Sequence, residues 1–282
     1  MVRANELEFG LLEAGTGPLA LCLHGFPDSA HTWQHLLPAL ADAGFHAVAP
    51  FMRGYAPTAV PDDGCFGIGA LVADAVALHQ VLDGDGDAVL IGHDWGAEVA
   101  YGTAAFAPDR WRRVVTLGVP PLGLDPVLFG DYQQLKRFFY LFLFRDSLAL
   151  AVEAVAADGM AFLERLWQDW SPGFDGAEVL ARAKESLRQP ANLTAAISYY
   201  RDSVMAPPGE DVPDAAEAQA AGRPTLYLHG SADGCIGAEL VGGAERLLPL
   251  GSRMTVVQGA GHFLHLEKPE EVNRHVLSWV TA

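Results

Sequence analysis

DAVLIGHDWGAEVAYGTAAF, residues 87–106, joins an apolar run, a tight glycine corner and a second apolar run of helical length. In the first, AVLIGH (88–93), polar and apolar positions do not alternate, so it reads as a strand covered on both faces, as in a parallel sheet. The second, 95–107, has the apolar spacing of a helix. Between them, residues 92–96 (GHDWG) fit the glycine–x–nucleophile–x–glycine pattern of a strand-to-helix elbow, whose glycines let backbones approach closely around a sharp turn. Asp94 stands at the tip of this elbow. Two readings are open for it: a nucleophile held toward a substrate, or a helix N-cap, a frequent position for Asp.

Outward from this unit the same alternation of strand and helix repeats. LALCLHG (19–25), HAVAP (46–50) and RVVTLGVP (113–120) read as strands, with helices over 31–43 and 67–82. The pattern resumes at PTLYLHG (224–230) and RMTVVQG (253–259) and closes with a helix near 269–280. Residues 122–222 differ. Convincing strands are lacking, aromatics are dense up to Trp170, and helical pieces are separated by SPGFDG and RQPAN before APPGEDVPDAAEAQAAG (206–222) leads back to the sheet. The expected plan is a core of residues 1–121 and 223–282 with a helical cap, 122–222, over the strands' carboxyl ends, where α/β sheets bind ligands.

A chain of 282 residues suits one large α/β domain or a core with a modest insertion. Half of the residues are hydrophobic and 19% are charged, the balance of a compact soluble globule. With 18 basic against 35 acidic residues, the net charge of −17 argues against nucleic acid as a partner, since phosphates call for clustered Lys and Arg. Cys22, Cys65 and Cys235 are too scattered for a disulfide framework, and none has metal-ligand spacing with a His or another Cys, so no zinc site is expected. MVRANELEFG carries no apolar export segment. The most apolar stretch, FFYLFLFRDSLALAVEAVAA, is interrupted by Arg145, Asp146 and Glu153, against a membrane span. The expectation is a soluble, cytoplasmic protein without a membrane partner.

Three further motifs bear on Asp94. HGFPDS (24–29) ends a strand and sets backbone N–H groups beside the elbow, where an oxyanion hole belongs, although it also fits an ordinary β-to-α turn. HGSADGCIG (229–237) puts Asp233 on a loop after a strand. QGAGHFLHLEKPEEV (258–272) puts His262 just after another, ahead of a helix begun by Pro, with His265 reading as structural. The order nucleophile, acid, histidine is that of α/β hydrolases.

Together HGFP, GHDWGA, GSAD and GAGHF resemble the α/β-hydrolase superfamily over nearly the whole chain, cap included. An Asp nucleophile is similar to its epoxide-hydrolase and haloalkane-dehalogenase branch. The resemblance implies a mostly parallel eight-stranded sheet flanked by helices, with the helical cap inserted over the strands' C-terminal ends. One departure stands out: members often carry Pro four residues after the acid, where this chain has Gly237. Asp125, after the strand ending near Val119, is the fallback acid.

A carboxylate suits attack on a saturated carbon and forms an alkyl ester of the enzyme. Water activated by His262, itself oriented by Asp233, would then attack the Asp94 carboxyl carbon, with the backbone N–H groups of Phe26 and Trp95 as oxyanion donors. No metal or organic cofactor is needed. An epoxide opens to a basic alkoxide, which requires a neutral acid such as tyrosine, pKa about 10. The resemblance implies that two cap tyrosines serve as this acid, Tyr200 in AISYYR and Tyr140 in YLFLFR, with Tyr199 and Tyr132 as substitutes in a shifted register. For each, a core position is the alternative. Phe26, Trp95, Phe142 and Trp167 are expected to line the substrate site. At least half of the cap aromatics Phe138, Phe139, Phe142, Phe144, Trp167 and Trp170 should simply pack the cap.

The expected reaction partners are a small hydrophobic epoxide and water, giving a vicinal diol. Exposed cap apolars would equally serve a homodimer. Two rivals stand beside this reading. A haloalkane dehalogenase would use the same Asp94, but many carry Asn after HG as a halide donor, where this chain has Phe26. Fluoroacetate-type enzymes place arginines at positions matching Trp95 and Glu98, which suit no anion. The other rival is a non-catalytic ligand-binding protein of the same fold.

Overall fold

In the computed structural model, which describes residues 1–203 and 222–282, the chain forms the strands β1 (Val2–Ala4), β2 (Leu7–Phe9), β3 (Leu11–Ala14), β4 (Leu19–Leu23), β5 (His46–Pro50), β6 (Val89–His93), β7 (Arg113–Leu117), β8 (Thr225–Gly230) and β9 (Arg253–Val257). Seven of them make one sheet in the order β3-β5-β4-β6-β7-β8-β9. Only β3 runs antiparallel to its neighbour. The runs without alternation, β4 and β6, are buried at every residue and lie side by side in the interior of the sheet.

β1 and β2 pair separately as an antiparallel ribbon. Gly10 alone separates β2 from β3, and the chain bends there, so the main sheet among the described residues has seven strands where eight were expected. The bend has a local cause. The Gly10 N–H donates to Thr58 Oγ1 at 2.9 Å, while its carbonyl accepts from Phe51 N–H at 2.9 Å.

The α-helices among the described residues are α1 (Leu36–Asp42), α2 (Ile68–Val81), α3 (Trp95–Phe106), α4 (Asp125–Leu128), α5 (Tyr132–Arg137), α6 (Phe139–Asp146), α7 (Leu148–Trp170), α8 (Ala177–Leu187), α9 (Pro190–Ser203), α10 (Leu264–Glu267) and α11 (Pro269–Val280). The helix expected over 31–43 begins as a 3-10 turn, Ala30–His35, before α1. α7 is broken where Ala157 is extended and Asp158, Gly159 and Met160 hold positive φ. Between β7 and β8 the described residues hold helices and no strand. Most of the expected return segment, 206–221, lies outside the described residues.

Hydrogen bonds fasten α7 and α9 over the carboxyl ends of the strands. The Trp170 carbonyl accepts from Gly234 N–H after β8 and from His262 N–H after β9, both at 3.0 Å. Trp167 Nε1 donates to the Pro27 carbonyl after β4 at 3.0 Å. Tyr199 and Asn192 donate to the carbonyls of Arg53 and Gly54, after β5, both at 2.7 Å. No helix among the described residues is long and apolar enough to cross a membrane.

Candidate active site

Asp94 is the single residue between β6 and α3, with φ 53° and ψ −119°. A positive φ is unfavourable for a residue with a Cβ and persists only where the surroundings fix it. The glycine pair fixes it here. A Cβ on Gly92 would lie 2.0 Å from the Gly96 carbonyl oxygen, and one on Gly96 would lie 2.1 Å from that of Leu23. Asp94 occupies the N-cap position of α3, but its side chain makes no capping hydrogen bond. Its Oδ1 instead accepts from Phe26 N–H at 2.8 Å. The HGFP turn thus points a backbone donor at the carboxylate, as the motif order implies.

Two other loops meet it. His262 Nε2 lies 3.5 Å from Asp94 Oδ2, and His262 Nδ1 lies 3.0 Å from Asp233 Oδ2. Asp233 Oδ1 accepts from the N–H groups of Cys235 and Ile236 at 2.7 and 2.9 Å, which fixes the carboxylate against the imidazole. The fallback acid, Asp125, starts α4 at the surface. Gly237 has its own reason to differ from proline. Its N–H donates to Gln134 Oε1 at 2.9 Å, while Gln134 Nε2 donates to the Cys235 carbonyl at 2.7 Å. A proline has no N–H to complete this clamp on the Asp233 loop.

The cap contributes aromatic groups above Asp94. Tyr200 is buried, its ring 5.0 Å from Trp95, 5.1 Å from Phe144, 5.5 Å from Phe26 and 5.7 Å from Tyr140. Its hydroxyl has no hydrogen-bond partner. Tyr140 is also buried, its hydroxyl 3.3 Å from Cys235 Sγ. Burial pushes both phenols well above their usual range, so each is a neutral O–H group. The substitutes are placed otherwise: Tyr132 is 71% exposed, and the Tyr199 hydroxyl is bonded to Arg53.

Two expected lining residues give way to neighbours. Phe142 is only half-buried, whereas Phe144 is fully buried against Phe26, Tyr140 and Tyr200. Helix geometry accounts for it, since Phe144 is four residues from Tyr140 and shares its face, while Phe142 is two away and does not. Trp167 stacks on Phe263 with ring centroids 3.8 Å apart. Trp170, three residues on, is the one beside His262, at 5.1 Å. Cys235 carried no sequence signal beyond lying two residues after Asp233.

A family model described as alpha/beta hydrolase fold matches residues 18–269. The chain belongs to that family. Among its relatives, this alpha/beta hydrolase is 29% identical over 320 residues to epoxide hydrolase A of Mycobacterium tuberculosis, with 100% of this chain and 97% of the relative covered. It is 29% identical over 290 residues to epoxide hydrolase 3 of Mus musculus, covering 99% and 75%. A crystal structure of epoxide hydrolase A from Mycobacterium thermoresistibile matches with a TM-score of 0.83 at 26% identity, covering 100% of this chain and 97% of the other.

In this alpha/beta hydrolase the three groups form one electrostatic unit. Burial alone would push His262 down, but the Asp233 and Asp94 carboxylates outweigh it and raise its pKa from 6.5 to about 10. Asp233 would rise on burial, and its contact with His262 instead holds it below the usual carboxylate value. Above about pH 6.5 the unfolded chain has released the imidazole proton, while the folded protein keeps it to about 10. The stabilisation is therefore complete below the lower value and is lost as pH rises toward the upper. The melting temperature should fall more steeply from neutral pH toward pH 10 in the wild type than in His262→Gln. Equal slopes would remove this ion pair as the cause.

Proposed function

We propose that the protein is an epoxide hydrolase converting a hydrophobic epoxide to its vicinal diol through an ester on Asp94. The observation that carries this reading is a carboxylate on a strained elbow beside Phe26 and Trp95, whose rings pack against a cluster holding two buried, neutral tyrosine hydroxyls, Tyr200 and Tyr140. Halide leaves as a stable anion and has no use for such acids, whereas an opening epoxide does. Residues 122–222 are the cap in this reading. The three cysteines, all unpaired, fit a reducing compartment, and we place the reaction in the cytoplasm.

The first half-reaction forms a bond from Asp94 to an epoxide carbon as the ring C–O bond breaks. The ring oxygen takes a proton from Tyr200, aided by Tyr140. Esterification removes the Asp94 charge, one of two holding the His262 proton, so that proton returns to the tyrosinate. Neutral His262 then takes a proton from water, and the hydroxide attacks the Asp94 carboxyl carbon, with Phe26 N–H and Trp95 N–H facing the oxyanion. Collapse breaks the bond between the Asp94 carboxyl carbon and the ester oxygen, an oxygen of Asp94 that leaves with the substrate. The departing alkoxide takes the proton of the new carboxyl group, and the diol leaves.

Styrene oxide and 1-bromobutane separate the alternatives. Diol without bromide release supports the reading. Bromide without diol would make the protein a dehalogenase, and neither product from a folded protein would make it a binding protein. Tyr200→Phe should slow ester formation by about 10²–10³-fold, within the range of general-acid catalysis, and stopped-flow quenching of tryptophan fluorescence would measure it. Unchanged kinetics would take Tyr200 out of the role.

A further inference from the structure

The hydroxyls of the two cap tyrosines keep different company. That of Tyr200 has no hydrogen-bond partner, whereas that of Tyr140 lies 3.3 Å from Cys235 Sγ. Both members of this pair are held in place. The Tyr140 ring packs against Trp170 at 5.1 Å, Tyr200 at 5.7 Å and Phe144 at 5.8 Å. Cys235 is fixed through its backbone, whose N–H donates to Asp233 Oδ1 and whose carbonyl accepts from Gln134 Nε2, both at 2.7 Å.

Burial pushes the Cys235 thiol well above its usual range, so it keeps its hydrogen. Hydroxyl and thiol can each donate and accept, and without substrate either order satisfies the contact. Once Tyr140 turns its hydrogen to a ring oxygen, that freedom is gone. The phenol oxygen then faces sulfur as an acceptor, and the thiol hydrogen fills the contact.

We propose that Cys235 is a positioning residue for ring opening, its S–H donating to the Tyr140 oxygen while Tyr140 donates to the epoxide oxygen. Hydrogen bonds in such a chain polarise one another, so the thiol strengthens the bond that Tyr140 makes. As the ring C–O bond breaks, negative charge gathers on the ring oxygen. Tyr200 gives that oxygen its proton, and the chain through Tyr140 spreads the charge toward sulfur on the way. The S–H bond stays intact throughout. The proposal rests on the epoxide reading of the site. A merely structural Cys235 would act differently, because it belongs to the loop of Asp233. Disturbing that loop would misplace the partner of His262 and slow ester hydrolysis rather than ester formation.

Stopped-flow quenching of tryptophan fluorescence by styrene oxide resolves the two half-reactions. Cys235→Val fills similar space without a donor and keeps both backbone bonds. It should slow ester formation by about 3–10-fold, the effect of one ordinary hydrogen bond, with substrate affinity and ester hydrolysis unchanged. Cys235→Ser restores a donor and should recover most of the loss. In a Tyr140→Phe background, Cys235→Val should have no further effect on ester formation, since the oxygen that it serves is gone. Equal ester formation in the wild type and Cys235→Val, a loss confined to hydrolysis, no recovery in Cys235→Ser, or the same loss in the Tyr140→Phe background would each overturn the proposal and leave the epoxide reading standing. Absence of diol from the wild type would take both down. Should Cys235→Val fail to fold, Cys235→Ala is read by the same criteria.

Discussion

Asp94→Ala is expected to lower diol formation by at least about 10⁴-fold, which is about 5.4 kcal/mol of transition-state stabilisation. The structure gives the reason. Among the described residues, only the Asp94 carboxylate combines a position on the elbow, a backbone donor at 2.8 Å and an imidazole at 3.5 Å. Alanine retains the turn and the pocket while removing every atom that could bond to carbon. Residual direct attack by water on the epoxide would remain, and it sets the floor. A single turnover in ¹⁸O-water offers a sharper test on the wild type. Solvent oxygen should enter the Asp94 carboxyl group, and the first molecule of diol should carry an unlabelled oxygen from the enzyme. Label in that first diol, with none in the protein, would rule out the ester.

His262→Gln should separate the two half-reactions. Ring opening needs Asp94 and the tyrosines, so one equivalent of ester should still form. Its hydrolysis needs a base to deprotonate water, and its loss should slow that step by up to about 10⁴-fold. Mass spectrometry should then find the substrate's mass added to the peptide containing Asp94, while steady-state diol formation nearly vanishes. An unmodified Asp94 peptide from an inactive variant would mean that His262 serves ring opening instead. Full activity would remove it from the reaction. Glutamine is preferable to alanine here because it fills much of the space against Trp170 and Phe263.

The elbow was legible in the sequence because its physics is local. A strand buried on both faces needs an unbroken apolar run, and a turn this tight leaves no room for a Cβ on Gly92 or Gly96. Asp233 was legible because it follows a fully buried strand, β8, within a few residues, and His262 because it stands soon after β9, a strand readable although only partly buried. The tyrosine register was not. YLFLFR and the segment around Tyr132 both read as helix, and burial separates Tyr140 from exposed Tyr132 only once α5 and α6 are placed. β1, β2 and β3 also went unread, since three or four residues carry too little periodicity. The meeting of Tyr140 and Cys235 was beyond reach for another reason: a spacing of 95 residues matches no local motif, and the contact exists only after the cap has folded over the sheet.

The Trp170 carbonyl, accepting from both Gly234 and His262, makes the far end of α7 a pivot and not a door. Swinging that end outward would break two hydrogen bonds at once and displace the base together with the loop of its orienting acid. Traffic of reactant and diol must then pass where the roof is not bolted to the floor. Attempts to admit bulkier molecules should accordingly recut Phe144 and its neighbours on α6, and leave the indole-bearing end of α7 alone.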